Sequence, residues 1–126
     1  MKNKKKHLGQ EGEKVAYNYL LQNGYKIINH NFFSPYGEID LIAIKNSQLI
    51  FIEVKTRSSN LENALSSVSK TKQKRISKTA SYFINKNPQY ENHITRFDVI
   101  AIIKNKNRSN RSGVKHLENA FLPQLF

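Results

Sequence analysis

Apolar and polar positions alternate in two neighbouring runs, GEIDLIAI (37–44) and LIFIEVK (49–55), with Asn46-Ser47 at the polar break between them. Alternation of this length predicts strands, and so short a break predicts a hairpin. With Asn46 and Ser47 as the central turn residues, Lys45 pairs with Gln48. The same register sets Asp40 opposite Glu53 and Glu38 opposite Lys55, all four on one face because side chains alternate with period two. The other face carries Ile39, Leu41, Ala43, Ile50, Ile52 and Val54 and reads as core. Nearer the turn the acidic face becomes apolar as well, through Ile42, Ile44, Leu49 and Phe51. A slip of one residue would separate these faces, so the reading depends on the turn.

The hairpin sits in a simple series of elements. Leu8, Val15, Ala16, Tyr19 and Leu20 form a helical stripe over 8–23, with Gly24 suited to the C′ position. A strand is expected over 25–33, followed by the turn Ser34-Pro35-Tyr36-Gly37. After the hairpin, a polar stretch over 58–69 leads into a helix at 69–87, whose stripe is Ile76, Ala80, Phe83 and Ile84. Asn87 and Pro88 end it. Strands over 94–103 and 114–121 close the chain, joined by a Lys/Asn/Arg-rich loop at 104–112 that is expected to be mobile. The order α-β-β-β-α-β-β predicts an α/β or α+β domain with a mixed sheet. Residues 1–7 read as a disordered basic tail and 8–126 as one domain, without internal repeats.

Composition narrows the picture. A chain of 126 residues with 38% hydrophobic content can bury one core. It has no cysteine, which removes disulfides and thiolate metal sites. The longest apolar run, 99–103, has five residues, far short of the roughly 18 of a membrane span. MKNKKK is followed by His7, Gly9, Gln10 and Glu11 where a signal peptide needs an apolar stretch, so a cytoplasmic location is expected. The formal charge, 21 − 9 = +12, points to a polyanionic partner. Abundant Lys, Asn and Ile also fit an A+T-rich genome, which accounts for part of the lysine. The acids are scarce, two Asp and seven Glu, and three of them fall on one hairpin face.

That placement suggests chemistry. Directly opposed residues have Cβ atoms roughly 4.5–5.5 Å apart, so Asp40 and Glu53 repel each other unless a cation lies between them. Mg²⁺ takes one or two carboxylates and keeps several waters. It can polarise a phosphoryl oxygen and acidify a bound water. Lys55 points to the same face and can orient the attacking water or stabilise developing charge. Glu-x-Lys alone is common on solvated strands; the cross-strand Asp is what sets this one apart. Glu13, three residues before Ala16, is first explained as an acid favoured in the early turns of a helix. A third carboxylate reaching the hairpin is the other reading.

Lys70, Lys72, Lys74, Arg75 and Lys78 form either a solvated helix face or a set of phosphate contacts. Arg57 suits a phosphate, and Gln73 could position a phosphate or water. Asp98 reads as a strand acid bonded to Arg96 or to backbone, with a fourth metal ligand as the alternative. His7, His30, His93 and His116 lack metal-ligand spacing. No phosphate-binding glycine loop is present. The 13 Tyr and Phe fall mostly at core spacing and suggest no aromatic platform for single-stranded RNA.

Asp40, a gap of twelve and Glu53-x-Lys55 resemble the PD-(D/E)xK nuclease superfamily, which shares the restriction-endonuclease-like fold with archaeal Holliday-junction resolvases. More closely, the chain is similar to the bacterial YraN-like family. The matching pieces are GQEGEKVAYNYL (9–20), NGYKIINHNF (23–32), GEIDLIAI (37–44), FIEVKTR (51–57), Lys72, RFDVIAI (96–102) and HLENAF (116–121). The resemblance implies a central mixed sheet flanked by helices, with Asp40 and Glu53 as metal ligands and Lys55 as the catalytic lysine. It also promotes Glu13 to the helix-one acid of the superfamily. Ile39 stands where the superfamily name has proline.

The leading expectation is therefore a Mg²⁺- or Mn²⁺-dependent DNA endonuclease or DNA-processing protein, with branched DNA as one candidate substrate. Glu13, Asp40, Glu53 and the Val54 carbonyl would hold the metal. Arg57, Lys70, Lys72, Gln73, Lys74 and Arg75 would contact nucleic acid. A basic nucleic-acid-binding module without catalysis, able to recruit repair, recombination or uptake proteins, is the alternative. Metal binding separates the two. A basic RNA-binding or ribosome-associated protein is a third reading, and it leaves the hairpin carboxylates unexplained. Junction resolvases act as symmetric dimers, so a homodimer is expected if two equivalent cuts are made.

Overall fold

Two helices and five strands follow one another in the order α-β-β-β-α-β-β in the computed structural model, which describes residues 4–57, 68–104 and 112–123. Helix α1 is Lys4–Gln22, followed by β1 (Lys26–Ser34), β2 (Gly37–Lys45) and β3 (Gln48–Arg57). Helix α2 is Lys70–Lys86, followed by β4 (Ile94–Lys104) and β5 (Ser112–Leu117). The strands lie in the order 1-2-3-4-5; β3 and β4 are parallel and the other neighbours antiparallel. This mixed sheet flanked by helices is consistent with a restriction-endonuclease-like core. α1 begins four residues before the expected position 8. Most of the 58–69 and 104–112 stretches lies outside the described residues.

Local chemistry explains the element ends. Tyr25 N–H donates to the Leu20 carbonyl at 3.0 Å and Gly24 N–H to that of Leu21 at 3.2 Å. These are the two bonds of a Schellman stop, with Gly24 at φ 83°. α2 begins at Ser69, whose side-chain oxygen accepts from Lys72 N–H at 3.2 Å. The β2–β3 turn places Asn46 at φ 52° and Ser47 at φ 64°. A two-residue hairpin turn of the primed type needs this left-handed backbone at both central positions. Lys45 pairs with Gln48, and the ladder runs to Leu41 opposite Ile52, so the expected register holds from the turn to that pair; the expected pairs Asp40–Glu53 and Glu38–Lys55 lie beyond the ladder's end.

The sheet is covered on both faces. Ala16 and Leu20 of α1 pack on Leu41, Ala43, Ile50, Ile52, Ile100 and Ile102. Ile76, Ala80 and Phe83 of α2 pack on Ile42, Leu49, Phe51, Phe97 and Val99. Both faces being apolar is what a strand inside a two-sided sheet requires. Ile39 departs from the expected grouping, since it belongs to the α2 side rather than with Leu41. A bend lies across from it on β1: between the pairs His30–Leu41 and Phe32–Ile39, Asn31 adopts φ 51°. The bend lies beside Asp40.

Candidate active site

The β2–β3 ladder stops one pair before Asp40 and Glu53. Val54 N–H, which points toward β2, donates instead to Asp40 Oδ2 at 2.8 Å. In a strand the N–H and C=O of one residue point to the same side, so the Val54 carbonyl also faces β2. Asp40 and Glu53 lie close enough for Glu53 to act on the charge of Asp40. Burial, then the neighbouring Glu53, push the Asp40 carboxyl far above the usual range, to about 9. Two carboxyls this close cannot both be charged without a cation.

Two lysines supply part of that charge. Lys72 Nζ, reaching down from α2, lies 2.7 Å from Glu53 Oε2, and Lys55 Nζ lies 3.8 Å from the same oxygen. Burial and the Lys72 ammonium lower Lys55 to about 8, against the pull of Glu53. Burial acts on Lys72 in the same downward direction, but Glu53 outweighs it and the net shift is upward.

Glu13 arrives from the opposite helix. Gly12 makes this approach possible: a Cβ there would collide with Thr56 Oγ1 on β3. The next residue, Glu13, lines the same cleft as Asp40 and Glu53. Burial raises its carboxyl, and Glu38 and Glu53 add to the shift. Glu38 is raised likewise by burial and by Glu53.

The cleft has a volume of about 800 Å³. It brings together Glu13, Asp40, Glu53, Val54, Lys55, Arg57, Lys72 and Arg75 from the sequence-based candidates. Lys70, Gln73 and Lys74 do not line it; Lys70 and Lys74 are exposed on α2, and Gln73 Nε2 donates to the Val68 carbonyl at 3.0 Å. The structure adds Glu38 and Thr71 to the lining. The hairpin register had placed Glu38 on the acidic face, whereas Thr71 carries no signal in the sequence.

The donor set suits a hard divalent cation: carboxylate and carbonyl oxygens, with no sulfur. Among the described residues, no three carboxylate or histidine side chains converge tightly enough to form a complete cage. The acids present fit an ion that retains waters, as Mg²⁺ does. Asp40 and Glu53 would hold it, with the Val54 carbonyl and Glu13 at the margin.

Asp98 is not part of this cleft. It lies on the α1 side, where Arg96 Nε and Nη2 donate to its two oxygens at 2.9 and 2.8 Å. His116 Nε2 lies 2.7 Å from Oδ2, and Asn119 N–H donates to Oδ1 at 3.1 Å. Burial opposes the charge, but the bonds from His116, Arg96 and Asn119 outweigh it and lower the carboxyl. The reading of Asp98 as an acid bonded to Arg96 and backbone therefore holds. His116, expected to be an unrelated packing residue, joins its network.

A five-stranded mixed sheet carrying acids and lysines in a cleft at a splayed hairpin defines an α/β domain of restriction-endonuclease-like architecture. The model of "Uncharacterised protein family UPF0102" matches residues 12–102, and the chain belongs to that family. This is the YraN-like family of the sequence resemblance. A UPF0102 protein of Clostridioides difficile is 45% identical over 122 residues, covering 96% of this chain and 100% of the relative. One from Thermodesulfovibrio yellowstonii is 44% identical over 115 residues, covering 90% and 95%. One from Acinetobacter baylyi is 47% identical over 95 residues, covering 75% and 68%. Among the described residues no helix is long and apolar enough to cross a membrane.

Proposed function

We propose that the cleft hydrolyses phosphodiester bonds in DNA with the help of Mg²⁺ or Mn²⁺, as a nuclease of the PD-(D/E)xK type. The observation that carries this reading is the Asp40–Glu53 pair, two neighbouring acids at the end of a rigid hairpin with Lys55 beside them. A structural role would not place a second acid where it destabilises the charge of Asp40. The ion, when bound, supplies a Lewis acid for the phosphoryl oxygen and lowers the pKa of water.

The chain's own residues do the rest. Asp40 and Glu53 bind through hard oxygens. Arg57 and Arg75 line the same cleft and suit the flanking phosphates, with the first turn of α2 adding backbone N–H groups. Lys55, beside Glu53 in the cleft, can orient a water or stabilise developing charge. The attacking water gives a proton to solvent as its oxygen bonds to phosphorus, the P–O bond to the departing strand breaks, and the departing oxygen takes up a proton from solvent. Lys72 holds Glu53 until the cation replaces its charge there.

The test is cleavage of labelled duplex, flap, junction and single-stranded DNA with Mg²⁺, Mn²⁺ or chelator, with Glu53→Ala and Lys55→Ala in parallel. Metal-dependent products from the wild type alone are expected. Undiminished cleavage by both variants would sink the assignment. Binding in every lane without products would instead identify a non-catalytic DNA-binding module.

A further inference from the structure

Large apolar side chains left in water need an explanation when they gather beside a site. Phe33 is 68% exposed and Tyr36 is 49% exposed, at the β1–β2 turn. The turn leads directly into Gly37 and Glu38, which line the cleft, and Phe33 pairs across the strands with Glu38. These rings therefore stand at the cleft's rim. The turn is held in place: Ser34 Oγ accepts from Tyr36 N–H at 3.0 Å and lies 2.9 Å from the buried Thr79 Oγ1 of α2.

Cations run alongside the rings. Lys78 Nζ lies 5.6 Å from the centre of the Tyr36 ring, and Lys86 Nζ lies 5.3 Å from that of Tyr82. The Tyr36 and Tyr82 rings are 6.5 Å apart. Arg75, Lys78, Tyr82 and Lys86 are spaced by three and four residues, so they share one face of α2. Arg75 lines the cleft at one end of this row. Aromatic faces interleaved with cations are the chemistry that holds unpaired nucleic acid, with bases stacking on rings while lysines follow the phosphates. A paired duplex keeps its base faces stacked inside and offers these rings nothing.

Resting on the nuclease reading of the cleft, we propose that the β1–β2 turn and this face of α2 form a track for an unpaired DNA strand. The substrate is thereby DNA with a single-stranded arm, whose phosphodiester chain passes from the Tyr36–Lys78 track into the Asp40–Glu53 cleft. Phe33 and Tyr36 set this specificity without taking part in the chemistry.

Two assays on the full chain separate the track from the cleft. The first is binding of fluorescent oligo-dT and of a blunt duplex in chelator, where cleavage cannot intervene. Wild type is expected to prefer oligo-dT. Tyr36→Ala and Phe33→Ala should each weaken oligo-dT binding by about tenfold, the scale of one lost base stack, with duplex binding unchanged. Tyr36→Phe keeps the ring and should bind as wild type. Equal affinity for both DNAs, or Ala variants that bind oligo-dT as well as wild type, would overturn the track. The second is cleavage of tailed and blunt duplexes in Mn²⁺. Faster cleavage of the tailed duplex, lost in Tyr36→Ala, supports track and cleft together. Ring-dependent oligo-dT binding without cleavage of either DNA would end the nuclease reading and leave the track standing. Equal cleavage of both duplexes, unaffected by Tyr36→Ala, would overturn the track and leave the nuclease.

Discussion

Asp40 and Asp98, the chain's two aspartates, lie on opposite sides of one sheet and meet opposite fates. Asp98 is fully buried, and four groups donate to it or pair with it: two guanidinium nitrogens, an imidazole nitrogen and a backbone N–H. Its charge is satisfied by the fold. Asp40 receives one backbone N–H and faces another acid. Its charge is unsatisfied by the fold and calls for something from outside. Burial alone does not mark a functional acid, since both are withdrawn from water. What marks it is the sign of its neighbours.

The largest contrast is expected from removing each charge. Asp40→Asn should reduce DNA cleavage at least about a hundredfold, the scale of a lost electrostatic group in an active site, while keeping or raising thermal stability. Asp98→Asn should do the reverse. It leaves the buried Arg96 guanidinium facing a neutral amide, with the exposed Glu118 at 3.2 Å as its remaining acid. A loss of about 3 kcal/mol in denaturant unfolding is expected, with cleavage by the folded fraction retained. Equal stability losses in both variants would erase the distinction.

The next contrast is in pH dependence. Folded Asp40 holds its proton more tightly than the unfolded chain does. Its contribution is therefore full below the ordinary carboxylate value of 3.8 and lost as pH rises through about 9. Asp98 holds its proton less tightly when folded, so its contribution is present above 3.8 and lost as pH falls through its lowered value. In chelator, replacing Asp40 by Asn should flatten the fall in stability toward alkaline pH. Replacing Asp98 should flatten the fall toward acid. Unfolding curves across that range that coincide in shape with wild type would contradict the assignments.

A smaller effect is expected at the contact that carries Glu13 across the sheet edge. Gly12→Ala sets a methyl against Thr56 Oγ1, and overpacking of this kind costs about 1–3 kcal/mol. The colliding atom is the threonine oxygen, so removing it should relieve the clash. Gly12→Ala with Thr56→Ala should recover. Smallest of all, Arg75→Ala should lower the salt dependence of DNA binding by about one phosphate contact. Lys74→Ala, away from the cleft, should change it less.

The hairpin was legible because its signals are local. The left-handed turn at Asn46-Ser47 sets the register, and the register sets Asp40 beside Glu53. Gly24 and Ser69 mark helix ends through bonds within a few residues. The bend at Asn31 was not legible, nor was the place of Ile39 on the α2 side of the sheet. Nothing in the sequence separates this asparagine from an ordinary strand residue. The Asp98 network was legible in its Arg96 contact, two residues away, and in its bond to backbone, without the partner that supplies it. Tyr25, Gln48 and His116 join through contacts made by the sheet's closure, across separations of 18 to 71 residues. The lysines of α2 read as one basic cluster. Only the packed helix separates Lys72, which grips Glu53, from Lys70 and Lys74, which face water.

The central claim is that Asp40 holds a proton whose place a divalent cation takes. Calorimetric titration of Mn²⁺ near neutral pH, repeated in buffers of different ionisation heat, measures metal binding and proton release together. Wild type is predicted to bind Mn²⁺ and release about one proton for each ion bound, and Asp40→Asn to lose both. Binding of equal strength to the two proteins, or binding to neither, would contradict the account.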